Sequence, residues 1–317
     1  MLQFFSWSRR IALEEVYRRA FERIDIMDNA GYDCVWLAEH HFNTYSVCPS
    51  VTLMGTHIAA RTKHLRIGTA VTLAGFYHPL RLAEELAMLD IFSGGRLNWG
   101  AGRGFDATEF RAFEVDIADS RARLYECVEI VSKAWRGERF SHEGAFWNVR
   151  DIEVLPRPVQ RPSPPFWMAA TSAEAVTTAA QMGHSILQDP HSSHADIGAK
   201  RASYRAALAA HGHSAEGREL PIARLLAIGT TRDAALATAR EGAQWTIDSY
   251  ARRAQANGKD PIETYLEDTI IYGTPEEVVD KLAELHETIG LDYLIASPLS
   301  HETFMLLTER VLPKVAS

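Results

Sequence analysis

Residues 31–42 read GYDCVWLAEHHF. Gly31 can adopt the left-handed backbone that ends a helix, and residues 34–37 form a short apolar run suited to a buried strand. Glu39, His40 and His41 follow at once, where that strand must end. A helix stop, a strand and a cluster of ionisable side chains in quick succession is the pattern of a parallel α/β protein, whose strand ends carry the chemistry.

Working outward, the same unit recurs. On the N-terminal side lie an apolar strand at residues 2–5 and a helical pattern at 13–30. On the other side come a helix at 49–60, a strand at 65–73, and a helix at 79–92 closed by Gly94 and Gly95. A strand at 97–101 leads through a Gly-rich turn to a helix at 120–135. Residues 137–165 lack a helical period and hold several prolines, so they read as an inserted loop or hairpin. Further strands fall at 166–170, 185–187, 223–229 and 291–297, with helices at 172–182, 194–211 and 232–253. A polar stretch at 254–267 breaks the rhythm. Thr274-Pro275-Glu276-Glu277 then reads as an N-cap, a proline at the first helical position and early acids, opening a helix that ends at Gly290. A last helix reaches Val315.

Eight strands alternating with helices predict a single (β/α)8 TIM barrel across residues 1–317, with an inserted segment between the fourth helix and the fifth strand. An open doubly wound sheet is the other arrangement such alternation allows.

The chain has 46% hydrophobic and 23% charged residues and a net charge of −8, with no segment piling up Lys and Arg. Nucleic acid and anionic membranes both need a basic face, so neither is an expected partner. No run approaches the roughly 18 apolar residues of a membrane helix. Cys34, Cys48 and Cys127 show no CxxC spacing and read as reduced thiols, which makes a cytoplasmic location the expectation. Cys34 and Cys127 suit the core; Cys48, just before Pro49, could face a cavity.

Barrel logic directs attention to the residues after each strand. In extended backbone Glu39 and His41 point one way and His40 the other. An imidazole facing the cavity can exchange protons near neutral pH. A metal site would need three or more converging ligands; HExxH is absent and adjacent histidines diverge, so no metal is expected. After the fourth strand, Gly102-Arg103-Gly104 lets backbone approach a ligand and supplies an anion clamp, although a tight turn with a solvated arginine has the same sequence. After the fifth, Thr171 and Ser172 open a helix whose free N–H groups can seat a phosphate or simply be capped. Two anion-suited ends on consecutive strands point to a phosphorylated cofactor.

These residues resemble bacterial luciferase and its relatives. The resemblance rests on the run 31–42, on Ile67-Gly68-Thr69-Ala70-Val71 with His78-Pro79, and on Ser93-Gly94-Gly95-Arg96 leading to Gly102-Arg103-Gly104. Gln160-Arg161-Pro162 and Tyr272-Gly273-Thr274-Pro275-Glu276-Glu277 extend it across nearly the whole chain in the family's order. It implies a barrel with an insertion, usually dimeric, that binds reduced FMN supplied by a separate flavin reductase. Such enzymes form a C4a-hydroperoxyflavin with O2 and oxygenate a small organic substrate. By the same resemblance His40 matches the family's catalytic histidine and His41 its neighbour. Arg103 and Ser172 match the phosphate ligands, and Ala70-Val71 falls at a non-prolyl cis peptide beside the flavin ring. A deazaflavin-dependent hydride-transfer enzyme and a non-catalytic flavin-binding partner subunit are the rival readings; the intact Glu39-His40-His41-Phe42 run and the retention of Arg103 favour the monooxygenase.

Three departures stand out. Gly102 replaces a cysteine near the flavin, which predicts a roomier pocket there, and Thr171 replaces a glutamate. The stretch before the last strand is shorter than luciferase's lid. The first and third speak against light emission and long-chain aldehydes. Phe5, Trp7, Phe42, Tyr45, Phe76, Tyr77 and Phe105 are the expected apolar wall of the site.

Overall fold

Strand β1 (Leu2–Gln3) is followed by helix α1 (Leu13–Ala30), which buries Val16, Ala20, Ile24 and Met27 as one stripe at helical spacing. Gly31, at φ 82°, returns its N–H to the Met27 carbonyl and stops the helix. The Asp28 carboxylate accepts the backbone N–H groups of Lys63, His64 and Leu65 at 2.9, 2.8 and 2.8 Å, tying the end of α1 to the approach of a later strand. The computed structural model describes residues 1–249 and 260–315, in two units, Leu2–Ala169 and Ala170–Ser317.

The first unit continues with β2 (Cys34–Leu37), α2 (Val51–Arg61), β3 (Arg66–Thr69), a 3₁₀ turn (Ala74–Phe76), α3 (Pro79–Phe92), β4 (Leu97–Ala101), α4 (Ala107–Ala112) and α5 (Ser120–Trp135). A hairpin of β5 (Phe140–Glu143) and β6 (Asn148–Ile152) precedes β7 (Phe166–Ala169). Strands β1, β2, β3, β4 and β7 pair in that order, all parallel; β5 and β6 are antiparallel. Tryptophans fill the core. Trp36 meets Trp167 edge-on at 5.4 Å, and Trp99 packs between Trp135 at 5.2 Å and Phe166 at 4.6 Å. Gly68 is what lets Trp36 lie flat on β3: a Cβ there would sit 2.4 Å from the indole Cε3.

The second unit holds α6 (Ala173–Gln181), β8 (Ser185–Leu187), α7 (His194–Ala210), β9 (Ile222–Ile228), α8 (Arg232–Ser249), α9 (Pro261–Asp268), β10 (Ile271–Gly273), α10 (Pro275–Ile289) and β11 (Leu294–Pro298). The chain continues with α11 (His301–Leu306), a π-helical turn (Leu307–Val311) and α12 (Leu312–Val315). Strand β9 is buried at every residue and pairs in parallel with β10 on one edge and β11 on the other. Helix α10 begins as its sequence predicts: Thr274 Oγ1 accepts the Glu277 N–H at 3.4 Å, the Glu277 carboxylate accepts the Thr274 N–H at 2.9 Å, and Pro275 takes the first position. No helix among the described residues is long and apolar enough to cross a membrane.

The structure departs from the sequence reading in several places. Among the described residues the parallel strands do not close into one hydrogen-bonded ring of eight. The third strand stops at Thr69 rather than 73, and a short extra strand, β10, takes part of one edge of β9. Helix α4 was not expected, because six residues carry no readable period; its signal is Asp106, whose carboxylate accepts the Thr108 N–H at 2.7 Å. Part of the polar stretch 254–267 is helical as α9. The expected end of α8 near Arg253 and residues 254–259 lie outside the described residues. Cys48 is fully buried rather than facing a cavity, and burial pushes its thiol pKa up to about 12. Phe5, also fully buried, packs on Tyr17 and Phe21 and belongs to the core instead of the site wall.

Two outcomes follow from this packing. Gly68→Ala forces a methyl into the rigid Trp36 ring and should lower unfolding free energy by about 1–3 kcal/mol in urea titrations. In the second unit, burial holds His184, His191 and His194 neutral, each pKa pushed down from 6.5 to about 4. Between those values the unfolded chain takes up protons that the folded chain refuses. Unfolding free energy should therefore fall steadily as pH drops from 6.5 to 4, with a shallower fall in His191→Asn.

Candidate active site

At the end of β2 the predicted alternation holds. Glu39 and His41 lie on one side: His41 Nε2 is 2.9 Å from Glu39 Oε1. The same oxygen accepts the Tyr77 hydroxyl at 3.1 Å, and Oε2 accepts the Leu73 N–H at 3.0 Å. Glu39 is 2% exposed. Burial pushes its carboxyl pKa up, and these three donors oppose that push. Tyr77, burdened by burial and by Glu39 beside it, has its hydroxyl pKa raised well above the ordinary phenol value. Tyr77 is therefore a structural donor rather than a simple wall residue.

His40 faces the other way, into an aromatic surround of Phe4, Tyr45 and Phe105 with ring centroids at 6.5, 5.0 and 5.9 Å. Its backbone N–H donates to the Cys48 carbonyl at 3.2 Å. Its Nδ1 lies 3.7 Å from Oε1 of Glu109, a fully buried residue of α4 whose same oxygen accepts the His41 backbone N–H at 2.9 Å. Sequence reasoning missed Glu109; the Asp-x-x-Glu pattern from Asp106 to Glu109 was its only trace. Phe42 reverses the chain just beyond, in the left-handed region at φ 58°, and its ring is exposed. The following loop is fastened by Asn43, which donates to the His41 carbonyl at 3.0 Å and accepts the Tyr45 N–H at 2.9 Å. Residues 5–7 fasten it again, with Val47 N–H donating to the Phe5 carbonyl at 3.0 Å and Trp7 N–H to Thr44 at 2.9 Å.

The Ala70-Val71 peptide is cis, as expected, and sits between β2 and β4. Ala70 N–H donates to Leu37 at 2.7 Å, and Glu39 N–H reaches the Val71 carbonyl at 3.4 Å. On the other side Thr72 N–H donates to Gly100 at 2.9 Å and Gly102 N–H to Thr72 at 2.9 Å. The roomier pocket expected at Gly102 is not there. A Cβ on Gly102 would lie 2.6 Å from Val71 Cγ2 and 3.3 Å from the Ala169 Cβ, so the space that glycine leaves is already filled by valine. Gly104, at φ 79°, supplies the turn that follows.

Arg103, half-buried between these glycines, donates from Nη1 to the Ser120 hydroxyl at 3.3 Å. That hydroxyl in turn donates to Ile117 at 2.7 Å. Among the described residues no carboxylate pairs with the Arg103 guanidinium. A cation so placed keeps most of its donors for an incoming anion. In the second unit Ser172 caps α6, accepting the Ala175 N–H at 3.2 Å, and Thr171 beside it is exposed. Among the described residues no group of three or more His, Cys, Asp or Glu is disposed to hold a metal.

Comparison with known proteins gives the family and the fold. The family described as luciferase-like monooxygenase matches residues 1–292. The oxygenase component of a flavin-dependent trigonelline monooxygenase from Acinetobacter baylyi is 34% identical over 179 residues, 56% of this chain and 49% of that one. The chain spans about half the length of the known relatives it matches. A monooxygenase from Streptomyces bottropensis is similar in structure with a TM-score of 0.86 at 26% identity, covering 99% of both chains. The oxygenating constituent of 3,6-diketocamphane monooxygenase from Pseudomonas putida, in complex with FMN, shares the fold with a TM-score of 0.84 at 18% identity over 99% of this chain and 98% of that one.

The contact between Gly102 and Val71 gives a direct check. Gly102→Ala should lower the thermal midpoint, since a stiff β-branched neighbour cannot step aside. Adding Val71→Ala should recover much of the loss, a coupling readable in a double-mutant cycle.

Proposed function

The chain belongs to the luciferase-like monooxygenases, and on that footing we propose that it is an oxygenase acting with reduced FMN and O2 on a small organic substrate. The single observation that carries this reading is the pairing state of the two strand-end histidines. His41 is tied by its ring to the buried Glu39, whereas among the described residues the His40 ring has aromatic neighbours and a carboxylate 3.7 Å from its Nδ1. His40 is therefore the imidazole assigned to proton transfer, and His41 the one assigned to holding the strand end.

Arg103 offers guanidinium donors that no carboxylate occupies among the described residues, which supports it as the ligand of a flavin phosphate; in the second unit the helix start at Ser172, with Thr171 before it, is by itself a candidate anion ligand. Ala70, Val71, Gly102 and Gly104 are the backbone proposed to lie against the ring system. When bound, reduced flavin supplies the electrons that let O2 react with an organic molecule. The chain's own task is to orient that molecule, to move one proton at His40 Nε2, and to keep water away with Phe105, Tyr45 and Phe76.

The name of the trigonelline relative, an oxygenase component, supports a separate flavin reductase as partner; a homodimer is the proposed assembly. One (β/α)8 barrel is the proposed parent fold, supported by structural neighbours that match 99% of the chain. A reducing cytoplasm suits three buried cysteines without disulfides.

Arg103→Ala should weaken FMN binding about 10- to 100-fold in fluorescence titrations, the worth of a charge-assisted hydrogen bond or two. His40→Ala should bind FMN as the native protein does yet lose about 10²- to 10⁴-fold in substrate-dependent oxygen uptake. Undiminished uptake in that variant removes the histidine from the chemistry. Binding of a deazaflavin in preference to FMN, read from absorbance spectra, overturns the cofactor assignment.

A further inference from the structure

Glu109 is fully buried, and its two oxygens are used unequally. Oε1 accepts the His41 backbone N–H at 2.9 Å and lies 3.7 Å from His40 Nδ1; Oε2 has no hydrogen-bond partner. Burying a carboxylate with one oxygen unsatisfied is costly unless a nearby charge or proton repays it. Among the described residues three rings face that of His40. Phe4 comes from just after β1 and Phe105 from just after β4, while Tyr45 comes from the loop that follows β2. The titratable ones are Tyr45, Glu109 from α4, and, through its carbonyl contact with the His40 backbone, the neighbourhood of the buried Cys48 thiol. Glu39 is committed to His41, Tyr77 and Leu73. Glu109 is thus the carboxylate that addresses the working ring.

We infer that Glu109 is a positioning residue for His40: it holds the imidazole in the tautomer protonated at Nδ1 and leaves the Nε2 lone pair facing the site. The distance of 3.7 Å is too long for a hydrogen bond and right for an ion pair. In the resting protein Glu109 selects the tautomer by its charge. When Nε2 takes a proton, the ring becomes an imidazolium, the Nδ1 proton stays in place, and the carboxylate balances the new charge across the same gap. No proton passes to Glu109. Helix α4 exists to deliver this group: capped by Asp106, it is only six residues long and ends one turn beyond Glu109.

The inference rests on His40 being the working imidazole, but its test does not need turnover. Protein labelled with 15N-histidine, without flavin, is examined by two-bond proton–nitrogen correlation at a pH where the ring is neutral, with His40→Gln identifying the signal. The native protein should show His40 mainly protonated at Nδ1. Glu109→Gln keeps an oxygen for the His41 N–H while removing the charge, so the Nδ1-protonated share should fall severalfold with little change in thermal midpoint. Glu109→Asp keeps the charge and should retain most of that share. In turnover assays Glu109→Gln should lose about 10-fold or more in kcat with KM for the organic substrate nearly unchanged, as expected for a group that acts only through the proton-transfer step. A native ring protonated mainly at Nε2 overturns the inference whether or not any variant folds, and so does an unchanged tautomer in Glu109→Gln. Oxygen uptake that survives His40→Ala would take the proton-transfer role away from His40 while leaving the tautomer result intact.

Discussion

The first unit is organised around one buried carboxyl group, that of Glu39. Three donors from separate positions converge on it: the His41 ring, the Tyr77 hydroxyl and the Leu73 backbone. A carboxylate in so dry a place persists only while those donors stay in position, so its burial fixes the course of the chain at each. The end of β2, the segment leading into the 3₁₀ turn, and the start of α3 are thereby set relative to one another. The cis Ala70-Val71 peptide lies inside this frame, its flanking amides pinned to β2 on one side and β4 on the other.

That arrangement separates two residues that look equivalent in the sequence. Adjacent histidines on extended backbone must diverge, and each meets its own carboxylate, but on different terms. His41 is in hydrogen-bond contact with Glu39, which makes it part of the scaffold. His40 is held 3.7 Å from Glu109 among aromatic rings, without such a contact. The contrast with Arg103 is instructive: among the described residues no acid pairs with that cation, which suits the anion-binding role proposed for it.

Much of this was legible in the sequence because it depends on local rules. Alternation across β2 follows from strand geometry, the Gly31 stop from the left-handed region, and the Thr274–Glu277 cap from reciprocal hydrogen bonding. What was not legible depends on partners distant in the chain. Phe5 reads as a rim aromatic until Tyr17 and Phe21 enclose it. Glu109 sits in a helix too short for periodicity to reveal, and its importance comes from contacts 68 and 69 positions away in the sequence, counted back from 109 to His41 and His40. Strand β10 escaped for a similar reason, since three residues announce themselves as a strand only by pairing with β9.

Gly102 and Val71 belong to different strand ends, yet a Cβ on one would stand 2.6 Å from a methyl of the other. Between them they can hold one branched side chain and no more. Positions 71 and 102 should therefore drift as a pair among homologues, a bulky residue at either accompanied by a minimal one at its counterpart. A lineage that acquires a thiol or hydroxyl at 102 must first shed the isopropyl group at 71, which orders the steps by which this corner of the protein can diversify.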